Sequence, residues 1–164
     1  MTPVSTAKMD VWRICRRKYE GVAFTGEGAE KAGGRWNFTG HSVVYTSENL
    51  SLAALELFVH ISPDLIPGDL VSIRGTLPDS TSAIELKEAD LPANWREYPA
   101  PPKLQEIGTH WLQQRSSALL IVPSAINPVE RNILLNPSHA EVKRLKVEKG
   151  RAFKFDPRMF GKSK

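Results

Sequence analysis

Cysteine is nearly absent from this sequence. Cys15 stands alone, so no internal disulfide can form, and the first twenty residues hold no apolar stretch resembling an export signal. Together these absences predict a reducing cytoplasm. Long hydrophobic runs are missing too: the longest aliphatic stretch, Ala118 to Val122, falls far short of the roughly 20 residues a membrane-spanning helix requires. A soluble chain without membrane contact is therefore expected. His41, His60, His110 and His139 lie far apart, and with one thiol they offer no clustered ligand set, so no metal site is expected. Glycine motifs for phosphates are lacking as well. Gly26-Glu27-Gly28 has no third glycine to complete a dinucleotide fingerprint, and there is no phosphate loop of the nucleotide-hydrolase kind.

What is present suits one globular domain spanning residues 1–164. A chain with 41% hydrophobic and 24% charged residues is too apolar for global disorder and long enough for one sizeable core. The net charge of +4 hides basic ends around an acidic middle. Such a field attracts nucleic acid, an anionic small molecule or an acidic protein alike, so charge by itself does not choose between them.

Val11 to Ile14 reads as an early strand with Arg13 on one face. From Gly21 to Gly40 the chain holds six glycines and no sustained period, which predicts a shaped loop. Ser42 to Thr46 is the next strand, and Asn49 or Ser51 can cap a helix running to about His60. Further strands are expected at Leu70 to Leu77, Ile84 to Leu86 and Leu119 to Val122. Between the last two, Leu104, Ile107, Trp111 and Leu112 share one face of a helix that Gly108 weakens slightly. Leu145, Val147, Phe153 and Phe155 alternate around Glu148, Lys149 and Gly150 as a terminal hairpin. The expected class is α+β, with mixed or antiparallel sheets and few helices.

Several residues stand out chemically. Glu56 lies in a helix apolar on nearly every side, where an unpaired buried carboxylate would cost several kcal/mol. It occupies a narrow exposed stripe, pairs with a structural arginine, or serves a ligand. In Gly33-Gly34-Arg35-Trp36-Asn37 the glycines permit close approach, Arg35 offers a forked cation and Trp36 a flat apolar face; a glycine turn before a buried tryptophan is the plainer reading. Tyr45 on a strand, Ser124 after a strand, and Asn132 and Asn136 are each unremarkable alone.

Taken in order, however, Trp12-Arg13-Ile14, Phe24 to Ala29, Gly33 to Asn37, Val44 to Ser47, Leu52-Ala53 with Glu56, Val122 to Ala125, Glu130 with Asn132, Asn136-Pro137 with His139, and Phe155 to Arg158 form a specific pattern. It resembles RES-domain toxins across nearly the whole chain. The family takes its name from an arginine, a glutamate and a serine, matched here by Arg35, Glu56 and Ser124.

The resemblance implies a fold related to ADP-ribosylating toxins, NAD+ as substrate with no further cofactor, and a neutralising antitoxin with an Xre-type helix-turn-helix domain. Cleaving the nicotinamide–ribose bond needs no general acid, because the leaving group is a cation that departs neutral while positive charge develops on the ribose. Glu56 would hydrogen-bond the ribose 2-hydroxyl and stabilise that charge. Tyr45 would stack on nicotinamide. Arg13 and Arg35 would hold the pyrophosphate or steady Glu56, and Gly34 would admit the ligand close to the backbone. Ser124 and Asn132 would orient Arg35 or Glu56. Transfer of ADP-ribose to a protein is the competing enzymatic reading, and a basic RNA-binding or RNA-cleaving module the non-homologous one. The favoured reading has no direct nucleic-acid binding by this chain and leaves the oligomeric state open, a homodimer included.

Overall fold

In the segment Leu119 to Pro123 every residue is buried, so it shows no in–out alternation, and its place in the fold explains why. The computed structural model describes residues 1–161. Its strands are β1 (Thr2–Ser5), β2 (Met9–Arg16), β3 (Val44–Ser47), β4 (Leu70–Leu77), β5 (Ser82–Glu85), β6 (Leu119–Pro123), β7 (Arg131–Leu135), β8 (Lys146–Val147) and β9 (Arg151–Ala152). The helices are α1 (Glu27–Ala32), α2 (Leu50–Phe58) and α3 (Pro102–Gln114). The strands form one sheet in the order β1-β5-β6-β7-β3-β2-β4-β8, with β9 also on β4.

β6 lies inside this sheet with both faces covered. Leu119 and Ile121 join one core cluster with Val11, Val44, Ile133 and Leu135. Leu120 and Val122 join another with Leu104, Trp111 and Leu112 of α3. A strand covered on both sides has no polar face to show, hence the continuous aliphatic run. β5 and β6 are parallel, and α3 provides the crossover between them that parallel pairing demands. The other pairs are antiparallel, so the α+β class expected from the sequence is the one observed.

Two expectations need correction. The region from Gly21 to Gly40 is not wholly loop. Its middle forms α1, entered through Gly26 at φ +80 and left through Gly33 at φ +70, with Glu27 and Glu30 in the first turn and Lys31 in the last, where the helix dipole favours each sign. Nor do the last strands make a hairpin. β8 and β9 both run antiparallel to β4, Lys146 opposite Thr76 and Arg151 opposite Ser72, a register that moves by one residue between them. One extra residue in a single edge strand is a bulge. Gly150 sits there because a Cβ would come within 3.0 Å of both Glu20 and Val71, a close approach rather than a reversal of the chain. The sequence pattern also gave no notice of β7, which lies between β6 and β3.

The sheet opens in its interior. β3 pairs with β7 over four positions, but among the described residues its pairing with β2 is the single bridge Trp12–Ser47. Beyond it the Arg13 guanidinium takes over, donating from one terminal nitrogen to the Tyr45 carbonyl at 2.9 Å. α2 packs across this opening, against both β2 and β3.

α3 owes its position to Gly108. A Cβ there would lie 1.9 Å from the Trp36 carbonyl oxygen, so the helix can receive the Gly33–Asn37 turn only without a side chain at this point. Gly108→Ala should gain about 1 kcal/mol of helix propensity and lose about 2 kcal/mol or more to the clash. Thermal unfolding should show a lower midpoint than wild type; a higher one would mean that the turn yields without cost.

Candidate active site

Asn49 begins the construction. It caps α2, its side-chain oxygen accepting from the Leu52 amide at 2.8 Å, while its amide nitrogen donates to Glu130 at 2.9 Å. The other Glu130 oxygen accepts from the Asn127 side chain at 3.2 Å, and the Glu130 carbonyl accepts from the Ser124 amide at 3.0 Å. Glu130 thereby ties the start of α2 to the turn after β6.

With Leu52 and Ala53 buried against the sheet, α2 turns Glu56 toward that turn and β7. One oxygen of the half-buried Glu56 carboxylate accepts from the Ser124 hydroxyl at 2.8 Å and from the Asn132 amide at 2.5 Å. Its second oxygen has no protein partner among the described residues, and it is not sealed from solvent. No ion pair within 4 Å joins Glu56 to a cation among them either. Two neutral donors on one oxygen answer the question the apolar helix raised.

Ser124 is 0% exposed, and its hydroxyl is fully committed. It accepts from the Ile126 and Asn127 amides, both at 3.1 Å, so its one hydrogen is left to point at Glu56. That arrangement suits positioning and not nucleophilic attack. Asn132 is oriented in turn by Ser47, whose hydroxyl donates to the Asn132 oxygen at 2.7 Å, which leaves the NH2 group facing Glu56. The two lie opposite each other on β3 and β7.

Arg35 approaches from the other side. It donates to the Trp95 carbonyl at 2.6 Å and the Glu97 carbonyl at 3.2 Å. Burial pulls its guanidinium below the usual range, while the nearby Glu56 and Tyr45 push back. The Tyr45 hydroxyl accepts from the Trp36 amide at 3.0 Å and donates to the Asn37 side chain at 2.7 Å. Burial pushes this hydroxyl far above the ordinary tyrosine range, against the opposing pull of the Trp36 amide and Arg35, so it stays protonated and keeps donating. Gly34 is needed for the same contact: a Cβ there would sit 2.6 Å from the Tyr45 oxygen. Gln105 of α3 closes the turn from behind, donating to the Gly34 and Asn37 carbonyls at 3.0 and 3.2 Å.

Arg13 is set apart. Trp12 and Ile14 pack in the cluster with α2, so alternation sends Arg13 to the opposite side of β2, and it meets the site only at the Tyr45 backbone. Its Nε is buried with no partner among the described residues, and burial lowers its pKa.

The structure thus joins Glu56, Ser124, Asn132 and Ser47 by hydrogen bonds, and sets Tyr45 over Gly34 in a second network with Trp36 and Asn37. Arg35 is near enough to feel the charge of Glu56 but donates to Trp95 and Glu97, and Arg13 meets the site only at the Tyr45 carbonyl. Ser47, Gln105 and Glu130 support these residues without having been assigned a role from the sequence, and Asn49, expected as a helix cap, both caps α2 and holds Glu130. Ser47 could have been found, since it shares a strand face with Tyr45 two residues away.

Tyr45→Phe would leave the Trp36 amide and the Asn37 oxygen without their partner, a cost of about 1–3 kcal/mol. Hydrogen exchange at the Trp36 amide should quicken while the amides of β6 keep their protection. Unaltered exchange at Trp36 would show that the hydroxyl does not hold the turn.

A family model described as RES domain matches residues 10–156. A curated protein named Toxin Res from Yersinia enterocolitica is 41% identical over 92% of this chain and 99% of its own length. Another, named Prs ADP-ribosylating toxin, from a Sphingobium species, is 38% identical over 93% of this chain and 97% of its own length. Among solved structures, the crystal structure of the M. tuberculosis MbcT-MbcA toxin-antitoxin complex contains a chain that matches with a TM-score of 0.71 over 97% of this chain and 90% of that one; at 14% identity it speaks for the fold. This geometry and these matches lead to one conclusion: the chain belongs to the RES domain family of toxins.

Proposed function

We propose that this toxin breaks the nicotinamide–ribose bond of NAD+ and so depletes the cell of it, with water or phosphate as acceptor. The observation that carries the reading is the half-free carboxylate: Ser124 and Asn132 hold one oxygen of Glu56 and leave the other open to a ligand hydroxyl.

In this mechanism the free Glu56 oxygen accepts a hydrogen bond from the 2-hydroxyl of the nicotinamide ribose. As the C1′–N bond breaks, its electron pair leaves with nicotinamide, which departs neutral, and positive charge grows on C1′ and the ring oxygen. The fixed anion stabilises that charge, and a positioned group of this kind is worth roughly 10²- to 10³-fold in rate. An oxygen of water or phosphate then bonds to C1′; water gives up its proton to solvent. Arg35 supplies donors for the pyrophosphate, Tyr45 offers its ring to nicotinamide, Arg13 steadies the site from behind through the Tyr45 carbonyl, and Ser124 with Asn132 aim the carboxylate. The site is proposed to work in the cytoplasm, where NAD+ is abundant.

Transfer of ADP-ribose to a protein is favoured by one specific observation, the name of the Sphingobium relative. The same cleavage serves if an acceptor side chain replaces water. Purified protein incubated with NAD+ separates the two by mass: free ADP-ribose or its phosphate is expected, whereas a protein adduct would favour transfer. Cleaved RNA beside intact NAD+ would overturn both. Glu56→Gln, which keeps size and removes charge, should fold normally and lose 10²-fold or more of the activity, roughly the scale of one electrostatic group. Comparable turnover in that variant would remove the carboxylate from the mechanism.

An Xre-type helix-turn-helix antitoxin is the proposed restraint, in keeping with the toxin-antitoxin complex among the structural matches. Its simplest action is a segment that enters the cleft at Arg35, Tyr45 and Glu56, an acidic group pairing with an arginine. Antitoxin and NAD+ then compete. A non-cleavable NAD+ analogue titrated into the complex should weaken antitoxin binding; unchanged affinity at saturating analogue would point to an allosteric block instead.

A further inference from the structure

The segment after Leu91 is fastened on both sides of Glu56. Arg35 holds it by the Trp95 and Glu97 carbonyls. Between those two residues Arg96 donates from its Nε to the Ala125 carbonyl at 3.0 Å, in the turn that starts at Ser124. The segment is thus attached to the arginine of the site and to the turn that aims its carboxylate. Tyr98 follows directly and is 82% exposed. Its ring meets that of His60, centroid to centroid 6.5 Å at a tilt of 56°. His60 lies just past the end of α2, its amide donating to the Leu57 carbonyl at 3.0 Å.

A single exposed tyrosine means little by itself. This one is distinguished by where its anchors lie and by what the other aromatic rings of the site are doing. Trp36 and Trp95 are 3% and 4% exposed and belong to the core. Tyr45 is largely buried, its hydroxyl engaged with the Gly33–Asn37 turn. Tyr98 is the most exposed of these rings, and the fastened segment keeps it beside the turn that starts at Ser124.

We propose that Tyr98, backed by His60, is a stacking platform for a flat heteroaromatic base of the substrate; this rests on the reading that NAD+ binds at Glu56. Adenine and nicotinamide share the chemistry that such a platform recognises. Stacking holds the bound molecule equally before and during bond cleavage, so it acts on affinity and not on the chemical step.

The test compares wild type, Tyr98→Ala and Tyr98→Phe in steady-state NAD+ cleavage and in calorimetric binding of ADP-ribose and of nicotinamide. Each of these ligands carries one of the two bases, and neither is consumed. Tyr98→Ala should raise KM and weaken one ligand by about 5- to 100-fold, the usual loss for a removed base–aromatic stack, with kcat changed by no more than about twofold. Tyr98→Phe should behave as wild type. The ligand that weakens identifies the base. Unchanged KM and binding in Tyr98→Ala would overturn the platform while NAD+ cleavage by wild type stands; equal loss in Tyr98→Phe would overturn it in favour of a hydroxyl contact. If wild type neither binds these ligands nor cleaves NAD+, the underlying reading fails, and the platform with it.

Discussion

A carboxylate on an apolar helix must be hydrated, paired or hydrogen-bonded, because an isolated buried charge costs more than a domain of this size can spare. Glu56 meets this demand on one oxygen only, and much of the surrounding structure exists to keep it so. Ser124 can donate to it because two backbone amides already occupy the serine oxygen. Asn132 presents its NH2 group because Ser47 takes its oxygen. Glu130 fixes the distance between the helix and the turn by holding Asn49 and Asn127 together. Both donors are neutral, and no cation among the described residues lies within ion-pair distance of the carboxylate.

The second constraint is the opening between β2 and β3. A continuous ladder would satisfy the Tyr45 carbonyl from the β2 backbone; here the Arg13 guanidinium does so. Burial there desolvates the guanidinium, which lowers its pKa, and its buried Nε has no hydrogen-bond partner among the described residues. On the far side, Arg35 gives two of its donors to backbone carbonyls, which fixes the plane of its guanidinium. The Gly33–Asn37 turn that carries it is gripped by the Tyr45 hydroxyl, by Gln105 and by the contact of Trp36 with Gly108.

Much of this was legible in the sequence, and the rest was hidden for definable reasons. β4, α3 and β6 stand where periodicity placed them, since long apolar patterns report burial directly. β7 escaped notice because Arg131 to Leu135 is short and only its last three residues are buried. The terminal hairpin failed because alternation reveals a strand and says nothing of its partner; both β8 and β9 found β4. Gly108, read as a mild weakness of α3, is instead the point at which the helix touches the Trp36 carbonyl.

The sequence by itself determined the class of the fold, the oddity of Glu56 in an apolar helix and, through the order of its motifs, the family. Each of these depends on residue type and local spacing, which the chain displays openly. Tertiary structure decided which donors face the carboxylate, that Arg13 enters from the opposite side of its strand, and that Tyr98 comes to stand beside His60. These are relations between segments up to 85 residues apart, as for Ser47 and Asn132. No local pattern encodes them, because such pairings are fixed by the packing of the whole sheet.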